Sequence, residues 1–337
     1  MSPHAEAVEH DEGVDSAIPW HYGDPFGEQR QLVGAVGVID RGNRDMLTVT
    51  GIDRLPWLHS ICSQHVADLP DGASAESLVL SPHGHVEQQW QLTELDETVW
   101  IDTEPGAGPQ VLNYLQTMRF MKRVEPADVS MDWAVVSLRG PLTDQVLAAA
   151  ALPISPPPAP ARAISLPSGG FVRPMPRGAD LIVPRATSTA MIDRLRAAGA
   201  QPVGMWALEA IRVQARVARL GFETDHRTIP HEVGWIGSAV HLAKGCYRGQ
   251  ETVARVQNLG KPPRRLVLLH LSGDSDALPT PGTSVESAGR SVGFLGTAVH
   301  HYELGPIALA VIKRTTPDDA ELVVGGSAAA IDASPSV

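Results

Sequence analysis

Apolar residues recur along this chain at two different spacings, and the spacing changes from segment to segment. Alternating or continuous short apolar runs predict strands at 33–38, 46–49, 78–80, 98–101, 133–138, 171–173 and 179–183. Apolar residues at every third or fourth position predict helices at 53–66, 111–118, 143–150, 189–198 and 205–220. After the prolines at 262 and 263, five short strands are predicted without a helix between them, at 265–271, 284–287, 292–300, 307–313 and 321–324. This order predicts an α+β protein that ends in a small closed β-barrel.

A strand followed by glycine and then by a helix occurs twice, around Gly51 and around Gly140. This echo indicates two related α+β lobes before the barrel. The predicted divisions are a flexible acidic tail at 1–28, a first lobe at 29–130, a second lobe at 131–261 and a barrel at 262–337. The tail has little apolar surface before Ile18 to offset the roughly 1–2 kcal/mol that ordering each residue costs. Prolines and alanines at 151–161 predict an exposed connector within the second lobe.

Composition narrows the class of protein further. Hydrophobic residues make up 43% of the 337 positions and charged residues 19%, as in ordinary globular proteins of two or three packed units. The net charge of −11 argues against nucleic acid and anionic membranes as partners. No apolar run approaches the ~20 residues of a membrane helix, and the N-terminus lacks the pattern of a signal peptide. Two cysteines in this length favour a reducing compartment, so a cytoplasmic location is expected.

Basic residues nevertheless form local clusters, which favours a small anionic ligand over a polyanion. One such cluster, Arg212, Arg216 and Arg219, forms a ridge on the helix predicted at 205–220, and its simplest interpretation is a solvated face. Scattered, solvated charge remains the alternative for each of the other clusters. His83 and His85 lack a third ligand nearby, and neither cysteine belongs to a Cys-x-x-Cys pair, so no metal site is predicted.

The densest group of chemically active residues is one stretch near the middle of the second half. It consists of Lys244, Gly245, Cys246, Tyr247, Arg248, Gly249, Gln250 and Glu251. A thiol between two cations lies in a positive field that favours the thiolate. The two glycines permit a tight bend or a close backbone approach, and the last two residues add acceptors. The alternative is a surface turn with a passive cysteine. Cys62, by contrast, falls on an apolar helix stripe and is expected to be buried.

This stretch, Lys-Gly-Cys-Tyr-x-Gly-Gln-Glu, resembles the signature of the YgfZ/T-protein folate-binding family, and more closely that of its YgfZ-like branch, which assists iron–sulfur cluster proteins. The likeness covers roughly residues 30–326 and is strongest from Gly204 to Lys313. The resemblance implies two α+β lobes and a C-terminal barrel around a central channel that binds tetrahydrofolate. Arg119, Gln214 and Tyr247 are the residues it suggests for folate, with basic clusters holding the glutamate tail.

The chain departs from the aminomethyltransferase branch of that family in two places. That branch has an acidic residue just after the turn that matches 81–86, where it activates the folate, and this chain has Glu87 followed by Gln88 and Gln89. The transferases also have a glutamate in the helix that matches 212–216, where this chain has Gln214. Glu87 can still supply the acid through a shift of register, so transferase chemistry is weakened and not excluded.

Three hypotheses follow. The first is a folate-binding accessory protein, not an enzyme, that uses Cys246 to support assembly or repair of iron–sulfur clusters in client enzymes under oxidative stress. The second is a folate-dependent aminomethyl or one-carbon transferase, and the third is a binding module that has lost all chemistry. A stable cluster needs about four thiolates, so Cys246 alone cannot hold one. Whether it ligates iron transiently, carries sulfur or senses oxidation stays open at this point.

Overall fold

The computed structural model describes residues 7–10, 12–155, 161–273 and 277–334. The helices are α1 Pro25–Gly34, α2 Arg54–Ile61, α3 Gly108–Thr117, α4 Thr143–Ala149, α5 Ser188–Ala197, α6 Met205–Gln214 and α7 Gln250–Leu259. The strands up to residue 202 are β1 Val8–Glu9, β2 Pro19–His21, β3 Gly37–Arg41, β4 Asp45–Thr50, β5 Ser74–Leu80, β6 Val86–Leu95, β7 Thr98–Thr103, β8 Glu125–Asp128, β9 Trp133–Arg139, β10 Ile164–Ser165, β11 Phe171–Met175, β12 Gly178–Pro184 and β13 Gln201–Pro202. The later strands are β14 Arg264–Leu271, β15 Ser284–Ser287, β16 Arg290–His301, β17 Gly305–Lys313, β18 Leu322–Val324 and β19 Ser327–Ile331.

Contacts divide the chain into two compact units. The first unit comprises Met1–Ser77 with Gln88–Ala207, and the second comprises Leu78–Glu87 with Leu208–Val337. The first unit contains a six-stranded sheet in the order β10-β11-β12-β9-β3-β13 and most of a five-stranded sheet in the order β5-β6-β7-β4-β8. The predicted domain boundaries after residues 28, 130 and 261 do not coincide with these units and stay predictions.

The two predicted strand–glycine–helix units share one local geometry. Gly51 joins β4 to α2 and Gly140 joins β9 to α4, and both have positive φ, at 106° and 133°. A Cβ on Gly51 would lie 2.2 Å from the carbonyl oxygen of Arg123, and one on Gly140 would lie 2.2 Å from that of Ala35. Each carbonyl lies just before the strand that pairs with the glycine's own strand. The two strand–glycine–helix units thus share a backbone contact as well as an order of elements, and the lobes at 29–130 and 131–261 stay predictions.

Buried ion pairs connect the two sheets of the first unit. Arg173 on β11 donates to Asp102 on β7 at 2.6 Å and to Asp180 on β12 at 2.9 Å. All three side chains are at most 2% exposed. Burial alone would raise the pKa of Asp102, but Arg173 and Arg44 outweigh it and hold that pKa below its usual range. Removing one partner would leave an unpaired buried charge, which costs about 3–5 kcal/mol, so this cluster fixes how the sheets pack.

The second unit ends in a closed barrel with the strand order β14-β17-β16-β15-β18-β19. Its interior is apolar and includes Leu269, Leu295 and Ile312, each fully buried. The predicted mixed α+β architecture with a C-terminal barrel is therefore confirmed. The sixth strand, Ser327–Ile331, is absent from the prediction, because its serine and alanines lack the β-branched and aromatic character typical of strands. The central channel stays a prediction.

Some element boundaries differ from the predictions. Residues 33 and 34 belong to α1, so the strand predicted at 33–38 runs instead from Gly37 to Arg41. Ile18, β2 and the start of α1 lie within the predicted tail, and Ile18 is only 4% exposed because it packs as a core residue. Residues 156–160 of the proline-rich connector lie outside the described residues. Within the described part of the chain, no helix is long and apolar enough to cross a membrane.

Candidate functional site around Cys246

The Cys246 loop, residues 244–251, meets a turn from a distant part of the sequence. Gly249 caps α7 with a φ of 81°, and a Cβ there would lie 2.5 Å from the carbonyl oxygen of Ser81 and 2.9 Å from the Cα of Gly84. Gly84 also has positive φ, at 78°, and a Cβ on it would lie 2.6 Å from the Cβ of Thr252. The two backbones approach so closely that only glycine fits at either position. Gly249 thus uses both the positive φ and the close backbone approach that glycine permits, whereas Gly245 has open space around it.

The turn that receives Gly249 is held by its own hydrogen bonds. The amide of Gly84 donates to the carbonyl of Ser81 at 2.9 Å, and the amide of Ser81 donates to the carbonyl of His85 at 2.8 Å. The Ser81 hydroxyl accepts from the amides of His83 and His85. The turn is thus a stiff surface against which α7 begins. Among the described residues, no three His, Cys, Asp or Glu side chains are placed to hold a metal ion.

An ion pair adds a second connection between the turn and the loop. Arg248 Nη1 donates to Glu87 Oε2 at 3.0 Å, with about a third of each side chain exposed. Glu87 is the carboxylate that the sequence analysis named as a substitute catalytic acid, and its side chain forms an ion pair with Arg248. Arg248 fills the unspecified position of the signature, so the sequence pattern carries no signal for the pair. Gln88, the next residue, is 4% exposed and accepts a hydrogen bond from Trp90 at 3.0 Å.

Lys244 and Tyr247 anchor the loop from the inside. Lys244 is only 5% exposed, and its Nζ lies 5.0 Å from the centre of the Tyr247 ring. Tyr247 is 8% exposed and packs in an apolar cluster with Leu80, Trp235 and Val253. Burial raises the pKa of Tyr247 to about 12. Lys244 therefore stabilises the loop through a cation–π contact. The two positive charges predicted to act on the thiol also act on other groups, that of Lys244 on the Tyr247 ring and that of Arg248 on Glu87.

The two cysteines differ as the sequence predicted. Cys246 is exposed, whereas Cys62 is 1% exposed and donates weakly to the carbonyl of Gln64 at 3.7 Å. Gln250 and Glu251 form the first turn of α7, a helix that sequence reasoning did not identify. The Gln250 amide donates to the carbonyl of Lys244 at 3.4 Å, closing the loop, and Glu251 is exposed. The arrangement presents one accessible thiol on a loop that is fixed at both ends.

The residues suggested for folate have unequal surroundings. Tyr247 lies in the apolar cluster just described. Gln214 is the last residue of α6 and is exposed, and Arg119 is exposed in the turn after α3, in the first unit. The residue of α6 that is buried and charged is Glu209, at 3% exposure, which sequence reasoning did not identify. Its spacing of three from Arg212 was the available signal.

The arginine ridge is ion-paired, with Arg219 buried and Arg212 and Arg216 half-buried, so its interpretation as a solvated face is wrong. Arg212 pairs with Glu209 at 2.6 Å and with Glu223 at 2.9 Å. Glu223 is fully buried and also accepts from the amide of Thr297 on β16 at 2.7 Å. Burial alone would lower the pKa of Arg212, but the two carboxylates outweigh it and raise that pKa. Glu223 contacts both Arg212 on α6 and Thr297 on β16, so it fixes the end of α6 to the barrel within the second unit. The predicted helix also ends early, at Gln214, with Arg216 in a left-handed conformation.

Comparison with known proteins relates this chain to aminomethyltransferases, by a family model and by fold. Residues 13–155 match the GCVT N-terminal domain family. A solved structure, the glycine cleavage system aminomethyltransferase T from Bartonella henselae, superposes on 99% of this chain and 95% of its own with a TM-score of 0.85, at 18% sequence identity. The chain therefore has an aminomethyltransferase-type fold.

The relatives found by sequence include transferases and aminomethyltransferases. A putative chloroplastic transferase of Arabidopsis thaliana is 23% identical over 77% of this chain, and the match spans 61% of that relative's length. An aminomethyltransferase of Methylococcus capsulatus is 25% identical over 81% of this chain and 79% of the relative. One from Chromobacterium violaceum is 26% identical over 83% of this chain and 79% of the relative. The resemblance to the wider T-protein family is thus supported, whereas the YgfZ-like branch rests on the Cys246 signature.

Proposed function

We propose that this chain binds reduced folate and acts as an accessory protein that supports iron–sulfur clusters in client enzymes through Cys246. The fold shared with an aminomethyltransferase supports the folate part. The observation that carries the thiol part is the placement of Cys246, which is exposed between two buried anchors, Lys244 and Tyr247, and the tightly packed Gly249. A nucleophilic or ligating thiol must be accessible and held in place, and this loop provides both conditions.

The residues suggested for tetrahydrofolate fit it in part. Tyr247 is 8% exposed inside an apolar core cluster, so only the edge of its ring is open to an aryl group of the ligand. Arg119, in the first unit, is exposed and cationic, and its contact with the anionic glutamate tail stays an expectation from the resemblance. Gln214 is exposed at a helix end and supports no specific role. When bound, the folate would supply one-carbon chemistry, while the chain's own residues would hold it.

The second candidate is a folate-dependent aminomethyl or one-carbon transferase. The comparisons favour it more directly than the first candidate, since relatives along most of the chain are named aminomethyltransferases. The residues at the expected acid position weaken it. Gln88 and Gln89 cannot ionise, and the carboxylate of Glu87 is paired with Arg248. A carboxylate that serves as general base must reach the proton it abstracts, and Glu87 would first have to leave this pair.

Two measurements on purified protein test these candidates: the first tests the folate binding that they share, and the second separates them. Calorimetry with mono- and polyglutamylated tetrahydrofolate should show binding that tightens as glutamates are added. Absence of binding to either form would contradict both candidates, and equal affinities would contradict the anchoring of the tail. Incubation with an aminomethylated carrier protein should then give no methylene-tetrahydrofolate. Turnover that is lost in Glu87→Gln would instead establish the transferase.

A further inference from the structure

The second unit contains a cavity that shares no residue with the Cys246 loop or the 81–87 turn. It has a volume of about 610 Å³ and lies between the loop at 221–227 and the barrel segments at 281–282 and 291–294. Binding sites for small molecules have volumes of roughly 300–1,000 Å³. The cavity is thus large enough for a small organic ligand, and every residue that lines it belongs to one compact unit.

Positive charge predominates in the lining of this cavity. Arg227, Arg264 and Lys313 line it, and Asp225 is the acid among the lining residues. Arg264 donates to both oxygens of Asp225, at 2.8 and 3.1 Å, and also pairs with Glu232, which lies behind it, at 2.7 Å. Burial alone would raise the pKa of Asp225, but hydrogen bonds from Arg264 and Thr228 outweigh it and hold that pKa well below its usual range. Asp225 and Arg264 therefore satisfy each other.

The other two cations are differently placed. Arg227 is 67% exposed and lies 4.0 Å from Asp225, beyond hydrogen-bond distance, so its guanidinium is available to a ligand. Lys313 is exposed and donates to the carbonyl of Ser291 at 3.0 Å, which leaves two of its three ammonium hydrogens for other acceptors. Even with Glu232 counted, the cavity has an excess of positive charge, which favours an anion.

Two aromatic rings give the cavity an apolar side. Phe222 and Phe294 both line it and are half-buried. The guanidinium of Arg264 lies 5.8 Å from the centre of the Phe294 ring, and that of Arg219 lies 4.6 Å from the centre of the Phe222 ring. These contacts hold the rings in place. A ring held in this way offers a preformed surface for a flat apolar group.

We propose that this cavity binds a small organic anion in which a planar apolar body carries a carboxylate or a phosphate. The anionic group contacts Arg227 and Lys313, and the planar body packs against Phe222 and Phe294. This ligand site is separate from Cys246 and from the proposed binding of folate. Its test is therefore independent of the function proposed above.

Calorimetry on the full chain tests the proposal with four probes: phenyl phosphate, benzoate, inorganic phosphate and benzamide. We expect saturable binding of phenyl phosphate or benzoate, and the tighter of the two identifies the anionic group. Inorganic phosphate, which has no ring, and benzamide, which has no charge, should each bind at least about tenfold more weakly. Failure of both aryl anions to bind would overturn the proposal, as would equal binding of the ring-free or uncharged probe.

Substitutions locate the binding. Arg227→Ala and Lys313→Ala should each weaken the bound aryl anion by about tenfold, since each removes a charge-assisted hydrogen bond. The matched control is Arg255→Ala, an exposed arginine on α7 that does not line the cavity, and it should leave the affinity unchanged. Equal effects of all three substitutions would overturn the assignment to this cavity. Displacement of the probe by tetrahydrofolate would overturn its separation from the folate site.

Discussion

Substitution of Gly249 by alanine tests whether the turn and the Cys246 loop are held together as the structure shows. Two costs arise from one added methyl group. A residue with a Cβ at a φ of 81° incurs about 1–2 kcal/mol of left-handed strain. The same Cβ would overlap the carbonyl oxygen of Ser81 at 2.5 Å and the Cα of Gly84 at 2.9 Å. Both are backbone atoms, which cannot rotate away, so relief of the overlap costs a further 1–3 kcal/mol, roughly, as in an overpacked core.

We therefore expect Gly249→Ala to lower the free energy of unfolding by about 2–5 kcal/mol. Gly245→Ala is the matched control in the same loop, because a Cβ at that position would have no atom within 4 Å and its φ is not left-handed. It should change stability by at most about 0.5 kcal/mol. Urea denaturation of both variants measures the difference. Hydrogen exchange should show faster exchange at 81–87 and 244–252 in Gly249→Ala alone.

A Gly249→Ala variant whose free energy of unfolding matches that of the wild type within about 0.5 kcal/mol would contradict this expectation. A Gly245→Ala variant that is equally destabilised would contradict it too. Either result would mean that the close approach of the two backbones does not exist in solution or is not rigid.

Three further predictions concern the same site. Iodoacetamide should alkylate Cys246 at least about tenfold faster than Cys62, because the latter is buried; peptide mass spectrometry measures both rates, and equal rates would contradict the predicted accessibility. Glu87→Gln breaks the ion pair with Arg248, of which about a third is exposed, and should cost at most about 1 kcal/mol in urea denaturation, whereas a larger loss would assign the pair a larger structural role. Burial raises the pKa of Tyr247 from 10.0 to about 12, so its contribution to stability is full below pH 10 and is lost as the pH rises from 10 to 12. Tyr247→Phe should therefore lose less stability than the wild type over that range. Urea denaturation as a function of pH measures this, and parallel curves of unfolding free energy against pH for the two proteins would contradict it.

Local sequence patterns were enough to predict much of the fold. Apolar spacing predicted helices near α2, α3, α4 and α5, and the final run of short strands predicted the barrel. The strand–glycine–helix order around Gly51 and Gly140 was also visible in the sequence, although the distant carbonyls that these glycines contact were not. In each case the determining residues are neighbours in sequence, so their periodicity carries the signal.

The parts that were missed depend on partners distant in sequence. Arg212 looked solvated because, although Glu209 lies three residues before it, its second carboxylate, Glu223, comes from a loop beyond the end of α6. The contact between Gly84 and Gly249 joins two segments that share no local pattern. Glu87 could be recognised as a candidate acid, but its pairing with Arg248 could not, since no rule of spacing relates the two. Tertiary contacts decided these features against local propensity.

We propose that Cys246 performs the function of this chain and that the surrounding loop holds it in place. Complementation of a strain that lacks this protein tests this role, with the activities of iron–sulfur enzymes under oxidative stress as the readout. Cys246→Ser is nearly isosteric at an exposed position, so it should fold and bind tetrahydrofolate as the wild type does but fail to restore those activities. Cys62→Ser, if it folds, should restore them and serves as the control for loss of a thiol. Full restoration by Cys246→Ser would contradict a role for the thiol and leave the folate-dependent transferase as the better explanation.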